Sequence, residues 1–258
     1  MYFLFILAIL VKLSANKAPS RGDLRVYKGG YDTHNEFPFA VLLQRKHPPA
    51  RFCTGSLIAE DWVLTAAHCV QISVLLMVIR YGDFTKPANE TKLYSSVIKI
   101  YAHPSYNQIF ALNDIGLIFI EKIPRKNHAK LLAVDYKTLI GLHVKYAGFG
   151  YIFKHLFEKN SEEKRKTELN SLKTGEGIVT RCEIYYATFN VLCIAPKCSN
   201  KKQQARPGDS GGPLVYDGRV IGVARSISFF NPISHYTPVS LYLEWIQNTI
   251  RFNDDDKV

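Results

Sequence analysis

Gly208-Asp209-Ser210-Gly211-Gly212-Pro213 is the stretch on which the reading of this chain turns. A serine between glycines can stand on a tight turn, where small neighbours let the backbone crowd a carbonyl bound beside it. Its hydroxyl is a weak nucleophile at neutral pH and needs a neighbouring base. Two stretches upstream hold the missing groups. Leu64-Thr65-Ala66-Ala67-His68-Cys69 presents a histidine among small residues, and Asn113-Asp114-Ile115 sets a carboxylate directly before an apolar run. Taken singly, a histidine beside a cysteine is a structural residue and an aspartate before a strand is a turn former. Together they supply a nucleophile, a base and an acid to orient the base.

The surrounding chain reads as a globular protein rich in β-structure. Its 258 residues are enough for one large domain or two small ones, and 47% hydrophobic with 21% charged residues excludes a disordered or fibrous chain. Short β-type runs alternate with turn clusters at Phe39–Leu43, Trp62–Ala66, Val97–Tyr101, Ile115–Ile120 and Val220–Ala224. Residues 154–168 mix both charge signs densely, as a short exposed helix or a solvated loop does. Leu241, Leu243, Trp245, Ile246 and Ile250 fall partly on one helical face, which predicts a C-terminal amphipathic helix docked on the body.

Other features place the chain in the secretory path. Residues 1–15 open with the apolar run Met1 to Val11 and end on Ser14 and Ala15, which suits a secretory signal peptide. Residues 16–25 are polar and rich in turn formers, a spacer and not a folding unit. Five cysteines in an oxidising compartment form at most two internal disulfides. Asn89-Glu90-Thr91 is an acceptor sequon for glycosylation. The formal net charge of +11 has no nucleic-acid-binding motif beside it, so nucleic acid is not the expected partner. No further stretch is long and apolar enough to span a membrane.

His68, Asp114 and Ser210, in that order, resemble the trypsin/chymotrypsin family of serine proteases, and the resemblance runs from Val26 to the C-terminal helix. Cys53 and Cys69 bracket Gly55-Ser56-Leu57-Ile58, His103-Pro104-Ser105-Tyr106 precedes Asp114, Gly148-Phe149-Gly150 resembles Gly-Trp-Gly, and Tyr236-Thr237-Pro238 leads into the terminal helix. The resemblance implies two packed six-stranded antiparallel β-barrels with a C-terminal α-helix and the active site between them. Barrel one would span about residues 40–125, barrel two about 140–238, and the helix about 239–252, within a protease domain of residues 26–258.

The same resemblance implies the roles. Ser210 is the nucleophile, His68 the proton carrier, Asp114 the orienting acid, and the N–H groups of Gly208 and Ser210 the oxyanion hole. Arg25 before Val26-Tyr27-Lys28-Gly29 resembles the activation junction, so a freed Val26 ammonium would pair with Asp209. Cys53–Cys69 and Cys182–Cys193 would be the disulfides, leaving Cys198 odd and able to bridge to another chain. No acidic pair stands in Gln71–Asp83 for the family's calcium loop, so neither metal nor cofactor is expected. Partners would be protein or peptide substrates, an activating protease and protein inhibitors, for a secreted monomer.

The substrate-binding parts depart from the pattern. Gln204 falls at the floor of the primary pocket, where members cutting after Arg or Lys carry Asp, and Arg206 stands in place of a cysteine. The strand that pairs with substrate is Arg225-Ser226-Ile227, or Ser226-Ile227-Ser228 if a residue is bulged out. Ile227 then replaces a wall glycine and Ser234 another pocket glycine. Little cleavage after Arg or Lys is expected, with small or medium uncharged residues preferred. The altered strand leaves a second reading, a weakly active or non-catalytic protease homologue acting as a binding or regulatory protein.

Overall fold

The computed structural model describes residues 29–48, 50–82, 84, 93–150, 171–183, 189–197, 203–227 and 232–255. Residues 1–25, Val26, the Asn89 sequon, the charged stretch 154–168, Cys198 and the side chain of Ile227 lie outside the described residues.

The first barrel grows from alternating apolar runs closed into a ring. Strands β2 (Ala40–Arg45), β3 (Ala50–Ala59), β4 (Trp62–Thr65), β5 (Met77–Tyr81), β6 (Leu93–Ala102) and β7 (Gly116–Ile120) close in the order β2-β3-β4-β7-β6-β5. Closure leaves this barrel no free sheet edge. Val41, Leu43, Leu57, Val63, Ile79 and Ile118 share one buried face of the sheet, and Leu64 and Leu117 are buried on the other. Trp62 is buried as well, its ring 5.1 Å from that of Phe119 and 5.7 Å from that of Tyr101.

The second barrel contains β8 (His143–Gly148), β9 (Lys173–Thr180), β10 (Leu192–Pro196), β11 (Pro213–Tyr216), β12 (Arg219–Ile227) and β13 (Ser234–Pro238). Its order is β9-β10-β13-β12-β11-β8, and pairing of β8 with β9 closes it. A two-residue strand β1 (Gly30–Tyr31) adds to the outside of β9, with Gly30 opposite Thr174. The fold is therefore the expected pair of antiparallel six-stranded barrels.

A 3-10 turn, Val239–Tyr242, leads into the helix α1 (Leu243–Asp255). Val239, Tyr242 and Ile246 enter the larger hydrophobic core, which also takes in Val220 and Val223 from the second barrel. Leu241, expected on the apolar face, is instead exposed, because the tighter 3-10 turn rotates it away from the stripe that the helix buries. Among the described residues, no helix is long and apolar enough to cross a membrane.

Candidate active site

Register brings the first two site residues together. In the β4–β7 pair Thr65 lies opposite Gly116, so His68 and Asp114 leave adjacent strands at the same end. The His68 backbone N–H donates to Asp114 Oδ1 at 2.9 Å, and the ring Nδ1 lies 2.7 Å from Oδ2. A carboxylate can only accept, so Nδ1 carries the proton in this bond and Nε2 is left as the basic nitrogen. Asp114 is 1% exposed while the His68 side chain is 31% exposed, an arrangement that hides the charge and presents the base.

The corner holding Asp114 is fixed from the second barrel. Thr237 Oγ1 donates to the Asp114 carbonyl at 3.0 Å, and Tyr242 OH donates to Asn113 Oδ1 at 2.9 Å. Asn113 takes a left-handed backbone (φ 52°), for which asparagine is well suited.

The serine loop rests on strand β3. Thr54 N donates to Ser210 O at 2.8 Å, and Thr54 Oγ1 donates to Gly208 O at 2.9 Å while accepting from Phe149 N at 3.1 Å. Gly208 and Gly211 both have positive φ, 96° and 80°. At Gly211 a Cβ would also lie 2.3 Å from Thr54 O and 3.1 Å from Ala66 N, so only glycine fits. Ala66 is two residues before His68, so the backbone after Ser210 packs against the segment that carries the histidine. The Cys53–Cys69 disulfide ties the neighbour of Thr54 to the neighbour of His68, and Cys182–Cys193 is formed too. Cys53, Cys69 and His68 cluster closely enough to suggest a metal site, but the disulfide consumes both thiols.

Asp209 points away from the serine. Its Oδ1 accepts from Gly150 N and its Oδ2 from Arg206 N, both at 2.7 Å. Burial pushes this carboxyl up to about 6, against the two N–H bonds and the charges of Arg51 and Arg206 that hold it down. A side chain at Gly148 or Gly150 would collide with it, which explains the Gly-Phe-Gly spacing.

Beside Ser210 lies a cavity of about 230 Å³, lined by Ala205, Arg206, Pro207, Ala224, Arg225 and Ser226 as well as the serine. Gln204 is buried and its amide donates to Ile233 O at 3.3 Å, and Ser234 Oγ accepts from Ala205 N at 3.1 Å. These bonds tie the Gln204-Ala205 segment to the start of β13. Strand β12 breaks register against β13 between Ala224 and Ser226, so Arg225 is the bulged residue. Sequence reasoning missed Thr54 and the lining role of Arg225. The one available signal for Thr54 was a polar residue in an otherwise apolar run beside Cys53.

Comparison with known proteins fits this geometry. The sequence model of the Trypsin family matches residues 27–246. The chain is 29% identical to the anionic trypsin of Canis lupus familiaris over 257 residues, covering 96% of this chain and 98% of that protein. It is 30% identical to granzyme B(G,H) of Mus musculus over 258 residues, with 95% and 98% covered. The solved structure of HL collagenase superposes with a TM-score of 0.67 over 86% of this chain and 96% of that one, at 22% identity, a likeness of fold alone.

Proposed function

This chain belongs to the trypsin family of serine proteases, and on that premise we propose that His68, Asp114 and Ser210 hydrolyse peptide bonds in a secreted enzyme activated by cleavage after Arg25. Serine endopeptidase action on proteins or peptides is the family's general chemistry, and protein inhibitors are its general antagonists.

Ser210 Oγ attacks the peptide carbonyl while His68 Nε2 takes its proton, and the same proton then goes to the departing amine. Asp114 keeps the ring in the required tautomer and stabilises its charged form. Water repeats the cycle on the acyl-enzyme. The N–H groups of Gly208 and Ser210 would hold the developing oxyanion, a contribution of roughly 10²–10³ in turnover per donor. Among the described residues, the buried Asp209 has two N–H groups and the more distant arginines Arg51 and Arg206 to favour its charge. A Val26 ammonium released by cleavage would pair with it and set the loop that carries Gly208.

The observation that carries this reading is the doubly bonded His68–Asp114 pair beside a serine loop pinned by Thr54. A fluorophosphonate probe, applied before and after cleavage at Arg25, tests it. Strong labelling after cleavage that Ser210→Ala abolishes is expected. A cleaved, folded protein that takes no label would replace this reading with the binding-protein one.

A further inference from the structure

We propose that the cavity beside Ser210 selects an acidic side chain at the cleaved bond, with Arg206 and Arg225 as the residues that specify it. The inference rests on Ser210 being the nucleophile, since that is what makes the adjoining cavity the place where the substrate side chain sits.

Two of the cavity's lining residues are arginines, and none of the described lining residues is acidic. The rest of the wall is the small residues Ala205, Pro207 and Ala224 with Ser226, a surface with little polar solvation to offer an entering charge. Asp209, next to Ser210 in the chain, is buried and accepts from Gly150 N and Arg206 N, and the charge of Arg206 also acts on it. Strand β12 is bulged at Arg225, and a bulge re-aims a side chain that regular pairing would send elsewhere. Here it sets Arg225 and Ser226, neighbours that would face opposite ways in a regular strand, on one cavity wall. Arg225 is 7% exposed, and its Nη2 donates to Phe110 O at 2.9 Å, which fixes the side chain. His235, behind the same wall with Nδ1 3.3 Å from Ser226 Oγ, is held to about 4 by burial and by the charge of Arg225. Burial does most of this, and the charge of Arg225 adds to it.

An Asp or Glu side chain entering this space meets a guanidinium geometry that matches a carboxylate. Lysine or arginine would be desolvated against two like charges. An uncharged side chain would fill the cavity but leave the field unused, which revises the expectation of an uncharged preference. The net charge of +11 adds long-range attraction for acidic peptides.

The test uses the chain cleaved after Arg25 and peptides that differ only in the residue before the cleaved bond: Asp, Glu, Ala, Leu or Lys. Binding of the uncleaved peptides to Ser210→Ala, read by fluorescence anisotropy, reports the pocket without the chemistry. Asp or Glu should bind roughly tenfold or more tightly than Ala, and Lys weakest. Arg206→Glu should reverse the order between Glu and Lys, and Arg206→Lys should keep it. Where Arg225→Ser does not fold, Arg225→Lys, which keeps charge but not the fork, should still weaken the Asp peptide. Acid-selective binding to Ser210→Ala, without probe labelling of the unmodified serine, upholds the pocket and removes the enzyme reading. Labelling with equal binding of Asp, Ala and Lys peptides does the reverse. An order that Arg206→Glu leaves unchanged also overturns the proposal.

Discussion

Asp209 shows how far one residue's surroundings can move its chemistry. Between its ordinary 3.8 and about 6, the folded uncleaved chain keeps a proton that the unfolded chain has released. Stability from this group is therefore fully present below pH 3.8 and lost as pH rises through about 6, a change of about 3 kcal/mol. Urea unfolding of the uncleaved chain at pH 4 and 7 should show most of that fall, and Asp209→Asn should flatten it. Cleavage after Arg25 should shrink it too, because an ammonium partner favours the ionised carboxyl. At this scale the sequence was most informative about Ser210, His68 and Asp114, whose neighbours in the chain are dictated by tight turns and close approach. Arg225 was less legible, since its place on the cavity wall depends on a bulge that only pairing with β13 defines.

Strand β3 does more for the site than its apolar pattern suggests. One hydroxyl on it, that of Thr54, satisfies both the Gly208 carbonyl and the Phe149 N–H. Thr54→Val keeps the shape and strands both groups, so a loss of about 1–3 kcal/mol is expected in denaturant unfolding, with Thr54→Ser restoring most of it. Labelling by the fluorophosphonate probe should fall alongside, as the carbonyl released belongs to the residue before Asp209. Removing the Cys53–Cys69 link, which closes a loop 16 residues long, should cost about 2–5 kcal/mol and loosen His68 from the same strand. Strands such as β4 and β7 were readable because continuous apolar runs stay buried. Strand β9, Lys173-Thr174-Gly175-Glu176-Gly177-Ile178-Val179-Thr180, has no apolar side chain in its first five residues. Its Gly177 is there because a Cβ would strike Ile194 at 2.4 Å and Ala195 O at 2.7 Å, a close approach that no local pattern announces.

At the scale of the molecule, the barrels are not independent modules. The larger core joins Leu43, Trp62 and Leu117 of the first barrel to Val220, Val223 and Ile246 of the second barrel and helix. Unfolding should be a single transition, with fluorescence of the two tryptophans and far-ultraviolet circular dichroism following one curve. Ile246→Ala should lower its midpoint, by about 2–5 kcal/mol in stability, without splitting it. Two separated transitions would show that the seam contributes less than its burial indicates.

The short strand β1 has a consequence for the kinetics of activation. Its Gly30 is paired to Thr174, so a terminus created at Val26 is leashed by 30 − 26 = 4 residues to the second barrel. Fully extended, four residues reach about 13–14 Å, which confines the ammonium to a small search volume. Its local concentration at any site within that radius is then on the order of millimolar or more, whatever the protein concentration. The step after cleavage should accordingly be first order and insensitive to dilution. Glycines inserted between Lys28 and Gly30 would enlarge the search volume, and the active fraction after cleavage should decline with each one added.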